Sequence, residues 1–297
     1  MGRMRSPGCR SPQPRRSVVS APPVRQWLVQ SAGRIEAALG PSRLERLVLP
    51  PLLERPGKES EFCAVQLDDG SVGLSYTLLD GTLQALHAGA ATAPGTPATD
   101  LVAGYAAGDG AARAIGLATI NALTRRLYER AGFRPDDGVD SFGSLDLGPG
   151  DRLGMVGHFG PLIRQARSLG IDVVVLELRA DLVREEPGLV VTLDPHRLAG
   201  CNKIVSTSTL LLNDTFEQVA CHWRHAQAVA LVGPSAGCPP DALFAAGVSA
   251  VGSAWIVDVD AFLARVAGGT PWGEASRKVT ITPQRYPGFD QLLLAAR

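Results

Sequence analysis

Five short apolar runs recur between residues 153 and 251, at 153–156, 171–178, 204–205, 228–232 and 248–251, with polar or amphipathic stretches between them. No other feature limits the fold as much, because strands that alternate with helical spacers assemble as a parallel sheet covered by helices. Asp172-Val173-Val174-Val175-Leu176 has no alternating polar residue after its first, so it reads as a strand buried on both faces. The spacer 161–169 carries Pro161 at its first helical position and Gly170 just past its end. Further helices are expected over 213–227, 240–246 and 259–266. The pattern predicts a Rossmann-like, doubly wound parallel-sheet domain over residues 149–297, set off by Gly148-Pro149-Gly150.

Upstream the grammar changes. A helix is expected over 24–39, ended by Gly40-Pro41. Strands 61–67 and 72–79 are joined across Asp68-Asp69-Gly70 as a hairpin. A connection rich in Gly, Ala, Thr and Pro over 88–98 then leads to a long helix over 111–130, closed by Ala131-Gly132. Strands followed by helices make 24–148 an α+β domain, and the whole chain an α/β protein.

Charge narrows the partners. Lys plus Arg and Asp plus Glu both number 29, so there is no basic excess to hold nucleic acid or an anionic membrane. The balance is uneven along the chain, with seven Arg and no acid in residues 1–35. Residues 1–23 read as a disordered basic tail; Arg15-Arg16 is followed by no hydrophobic segment of signal-peptide length. The five cysteines are scattered and form no C-x-x-C pair, which suits reduced thiols in a cytoplasm. The expected partner is a small molecule in a cytoplasmic protein, with association of identical copies left open.

In an open parallel sheet ligands bind beyond the carboxyl ends of the strands. Three such ends carry small or polar residues: Gly154-Met-Val-Gly157-His158-Phe159-Gly160-Pro161, then Ser206-Thr-Ser208-Thr209 running on to Asn213-Asp-Thr215, and Gly233-Pro-Ser235-Ala-Gly237. Together they would form a crevice of hydroxyls and backbone N–H groups suited to a carboxylate, phosphate or ribose. The first loop is spaced G-x-x-G-x-x-G rather than G-x-G-x-x-G, and Pro161 removes a donor. Glu177 nevertheless stands 20 residues after Gly157, where a ribose-binding acid belongs. A nucleotide-type site and a plain glycine turn both fit.

Gly233-Pro-Ser235-Ala-Gly237 has the G-x-S-x-G outline of a hydrolase elbow, but prolines 239 and 240 interrupt the following helix and no His follows Ser235. Cys221 and His225 would share one helix face at i, i+4, yet two ligands make no metal centre, and none is expected. His158 reads either as a positioned acid, base or ligand or as a solvated loop residue. Asn213 and Asp214, three to four residues before Glu217, suit a helix cap as well as a ligand. Asn121 lies in an Ala/Leu-rich helix, where an amide is either hydrogen-bonded core or projects into a domain interface.

Taken in order, the segments 116–123, Asp151-Arg-Leu-Gly154-Met-Val-Gly157-His-Phe159-Gly-Pro161-Leu162, 173–177, 205–215 and Leu231-Val-Gly233-Pro234-Ser235 resemble the family labelled "putative heavy-metal chelation". The resemblance implies an enolase N-terminal-like domain joined to a Rossmann-like one, with a site in the cleft between them. By position it assigns Gly157, Phe159 and Pro161 to the loop, Glu177, Asn213, Thr215 and Ser235 to the crevice, and Asn121 to the facing domain. His158 and Ser208 depart from the family's usual aromatic residue and glycine. The expectation is a binder of a small anionic or nucleotide-like ligand in that cleft, working as an enzyme on a metal chelator or metal cofactor. A non-enzymatic metal- or chelate-binding module and a nicotinamide-dependent oxidoreductase are the alternatives. No cofactor is named by the sequence.

Overall fold

The computed structural model describes residues 22–53, 61–79, 81–89, 92–138 and 145–297, so the basic tail up to residue 21 lies outside the described residues. The first half runs α1 (Val24–Leu39), β1 (Leu44–Val48), β2 (Phe62–Leu67), β3 (Val72–Tyr76), α2 (Thr82–Ala88), α3 (Ala98–Ala107) and α4 (Gly110–Arg130). Its three strands form an antiparallel sheet in sequence order. The β2–β3 turn closes because Gly70 takes φ +88°, its N–H donates to the Leu67 carbonyl, and the Asp69 carboxylate accepts from Ser71 N. α4 lies on β3 at Gly73, where a Cβ would sit 2.0 Å from the Ala118 carbonyl oxygen and 2.3 Å from Ala122 N. Only hydrogen fits there.

The second half runs β4 (Asp136–Asp137), β5 (Arg152–Val156), α5 (Gly160–Ser168), β6 (Asp172–Leu176), β7 (Arg184–Glu186), β8 (Leu189–Thr192), β9 (Lys203–Thr207), α6 (Phe216–Ala220), β10 (Ala228–Val232), α7 (Asp241–Ala245), β11 (Ala250–Ile256), α8 (Val259–Gly268), β12 (Ser276–Ile281) and α9 (Phe289–Ala295). The strands form one nine-stranded sheet in the order β4-β12-β11-β10-β9-β5-β6-β8-β7. The six from β11 to β8 are mutually parallel. Numbered from β5 in chain order, they lie 3-2-1-4-5-6, the doubly wound order whose switch point falls between β5 and β9. Antiparallel β12 and β4 extend one edge, and β7 closes the other. The α/β architecture read from the alternation is therefore present, with the α+β unit before it.

The halves are packed into each other. β2 is buried along its whole length. Cys63, Val65 and Leu67 join the large core that contains α4, while Phe62 and Ala64 pack with Phe262, Leu263 and Val266 of α8. At the far end Trp27 of α1 meets Phe289 of α9 edge to face at 5.4 Å.

Several local expectations change. α6 stops at Ala220 rather than running to residue 227, so Cys221 and His225 share no helix face. β11 continues to Ile256, five residues beyond the expected strand. β1, β8, β12 and the helices α2 and α3 were not anticipated. β1 and β12 are charged and half-exposed, and α2 and α3 flank a stretch whose glycines and prolines read as a loop.

Candidate functional site

The loop after β5 turns on Gly157 at φ +90°, where a Cβ would press on Thr207 Cγ2 at 3.3 Å. Its N–H donates to the Leu176 carbonyl, so that one donor is not free for a pyrophosphate. His158 is half-buried, its Nε2 3.5 Å from Arg184 Nη2. Phe159 precedes α5, and Pro161 sits exposed in the first helical turn. At the end of β6, Glu177 folds back on its own turn and accepts from Leu178 N at 2.8 Å and Arg179 N at 3.3 Å. The carboxylate also lies close enough to Tyr76 that, after burial and together with Glu61, it helps push that phenol up to about 12.

The polar residues farther along serve the joint between the halves. α4 lies across the carboxyl edge of the sheet and meets successive strand ends along its length. Arg113 donates to the Leu212 carbonyl at 3.0 Å, Asn121 Nδ2 to the Ser235 carbonyl at 2.9 Å, and Arg125 to the Ile256 carbonyl at 3.1 Å. Asn121 Nδ2 also reaches the Leu74 carbonyl at 2.7 Å, and the Ser235 hydroxyl, fully buried, accepts from Tyr76 N at 2.9 Å. Ser235 is thus consumed by β3 and has no free face for nucleophilic work. Asn213 accepts from Thr215 Oγ1 at 2.6 Å in a local turn. Between them Asp214, at φ +59°, is gripped by Arg25 of α1 and Arg113 of α4. Ser208 is buried under Gly233, whose Cβ would lie 2.3 Å from the Ser208 hydroxyl. Along β9 to β11 α4 lies over the expected crevice and leaves a cavity of about 40 Å³ beside Asn121, Arg125, Pro234 and Gly237.

Open space lies on the other side of the same loops. A groove of about 650 Å³ runs over β10, β11 and β12, and of the expected residues it takes in Phe159 and Gly233. Strand alternation explains its floor: the pairings Val232↔Gly252, Gly252↔Thr280 and Ala254↔Lys278 put these five residues on one face. That face is the one α5 covers farther along the sheet, through Ile163 and Ala166 on Met155, Val205 and Ala230. Over β11 and β12 it carries small residues. Phe159, Pro234 and Trp272 rise at the sides, and Ser276, Lys278 and Thr280 stand along β12. Lys278 is exposed and has no ion-pair partner among the described residues, whereas Arg277 pairs with Asp137 at 3.8 Å. The indole Nε1 of Trp272 is buried without an acceptor. β12 supplies most of this wall, and the sequence offered no strand signal there.

Among the described residues no side-chain cluster builds a metal centre, and three of the four described thiols are buried. No group of three or more His, Cys, Asp or Glu could hold an ion. Burial pushes the Cys63 and Cys238 thiols up to about 12 and Cys201 to about 11, so all three stay protonated at neutral pH. Among the described residues no helix is long and apolar enough to cross a membrane.

A family model described as "Putative heavy-metal chelation" matches residues 140–283, and a second model with the same description matches residues 60–124. Two solved structures share the fold. A protein of unknown function from the DUF364 family of Pyrococcus horikoshii superposes with a TM-score of 0.62 at 16% identity, over 86% of this chain and 99% of that one. A protein of the same family from Desulfitobacterium hafniense gives 0.60 at 20% identity, over 86% and 98%. No curated protein matches.

Proposed function

The chain belongs to the family described as "Putative heavy-metal chelation", and from that premise we propose that it binds a small anionic organic molecule in the groove over β10–β12 as a step in making or handling a metal chelator. The observation that carries this reading is the groove itself. Its volume suits a small ligand, its walls are apolar, and Lys278 supplies an unpaired positive charge beside two hydroxyls. The metal need not touch the protein, since no side-chain cluster among the described residues fits one. A ligand held by charge and rings can carry its own metal.

Binding is the core of the proposal. Ser235 and the three buried cysteines are unsuited to covalent catalysis, and the Gly157 N–H is not available to a nicotinamide cofactor's pyrophosphate. A ligand that binds only the folded state raises the melting temperature by mass action. A thermal-shift panel of S-adenosylmethionine, NAD, ATP and metal-chelating carboxylic acids should therefore yield at least one stabilising compound. That stabilisation should fall in Lys278→Gln and Phe159→Ala and persist in Asn213→Ala. A panel without effect, or one whose binding ignores Lys278 and Phe159, removes the groove as the site.

A further inference from the structure

We propose that the groove selects a planar aromatic acid, a carboxylate on a flat ring, over nucleotides and over cationic cofactors; this rests on the groove being the ligand site. None of the described residues lining the groove carries a carboxylate, carboxamide, imidazole or thiol. On that face, among the described residues, Asp136 opposite Thr280 in β4 is held by two nitrogens of Arg285 at 3.0 and 3.1 Å. Among the described lining residues the side-chain acceptors are the hydroxyls of Ser253, Ser276 and Thr280, with no carboxylate or carboxamide to grip a ribose diol or a purine amino group or to pair with an ammonium or sulfonium centre. A cationic centre would lose water there without gaining an ionic partner.

What the groove offers instead matches a flat acid. Gly252 and Ala254 leave a low floor on which a ring can lie, and Phe159 and Trp272 present aromatic surface at its sides. Lys278 attracts the carboxylate, with Ser276 and Thr280 on the same strand face to complete its hydrogen bonds. An aromatic acid with a neighbouring hydroxyl is itself a bidentate metal ligand. The family's label then fits a protein whose described residues form no metal cluster: recognition falls on the chelator, and the ion arrives or leaves with it.

Titration of the full chain decides the matter, using melting temperature and tryptophan fluorescence as readouts. The probes are 2,3-dihydroxybenzoate, its neutral counterpart 2,3-dihydroxybenzyl alcohol, S-adenosylmethionine and ATP. The acid should bind at least tenfold more tightly than the alcohol. Lys278→Gln should erase that difference while leaving the alcohol's affinity unchanged, and Phe159→Leu should weaken both. Lys278 is exposed on an outer strand, so its replacement leaves the fold intact, and Phe159→Leu gives a second reading independent of charge. Equal binding of acid and alcohol, or binding of S-adenosylmethionine or ATP that depends on Lys278 and Phe159, overturns the aromatic-acid assignment and keeps the groove. Absence of binding by all four probes overturns both.

Discussion

The seam beneath α4 and the groove beside Phe159 are built on the same strand loops, yet they differ in almost every physical respect. In the seam, Asn121, Ser235 and Leu74 are buried and exchange hydrogen bonds with one another and with half-buried Tyr76. In the groove, Gly252, Ala254, Phe159 and Lys278 make few bonds and leave a hollow of about 650 Å³. The contrast teaches that polar residues at strand ends had two employments available here. The seam spends the Asn121 amide and the Ser235 hydroxyl on docking, whereas the groove keeps glycines, rings, the hydroxyls of Ser276 and Thr280 and the unpaired Lys278.

The comparison can be tested from its stiffest point outward. Gly73→Val should be the most damaging change, because its side chain would overlap the α4 backbone; overpacking of this kind costs about 3 kcal/mol or more in urea denaturation. Asn121→Leu should cost about 2 kcal/mol, since the Leu74 and Ser235 carbonyls lose their donor in a buried site, with some relief because Asn121 Oδ1 is unpartnered already. Ligand affinity should stay unchanged in that variant; a large loss would make the seam part of the site. Ser235→Ala should cost about 1 kcal/mol through the orphaned Tyr76 N–H. Lys278→Gln should shift stability by less than about 0.5 kcal/mol, because the side chain is exposed and unpaired. A larger shift would show a structural role and blur the division drawn here.

Titration separates the same regions by pH. Burial raises the Cys63 and Cys238 thiols from 9.0 to about 12, so the folded chain holds these protons where the unfolded chain releases them. Their contribution to stability is complete below pH 9 and declines as pH rises from there towards 12. Denaturation midpoints should therefore fall across the alkaline range, and Cys63→Ala should flatten that fall. At pH 8 a thiol reagent should modify exposed Cys221 quickly and the buried Cys63, Cys201 and Cys238 slowly.

The frame of the molecule was readable where residue chemistry and geometry coincide. Gly40 ends α1, Gly70 makes the β2–β3 turn, and the valines of β6 announce a strand covered on both faces. β12 was illegible because an outer antiparallel strand exposing Arg277 and Lys278 looks like any polar surface segment. The site suffered twice. The groove's floor is glycine and alanine, letters that carry no chemistry of their own, and its cation lies on that unseen strand. Asn121, by contrast, was singled out as either hydrogen-bonded core or a residue projecting into a domain interface, and its amide bonds both the Leu74 and the Ser235 carbonyls. Ser235 drew attention through a motif whose partners are missing, and its hydroxyl turned out to serve β3.

β2 sheds its last contact with water only when α8, some two hundred residues later in the chain, settles on Phe62 and Ala64. During synthesis the first strands must therefore leave the ribosome with one greasy side bare, and keep it so until nearly the entire polypeptide has followed. Cellular yield of this protein should accordingly respond to chaperone supply and to elongation speed more than its finished stability would suggest, and truncations that remove α8 should be cleared as nascent or newly released chains.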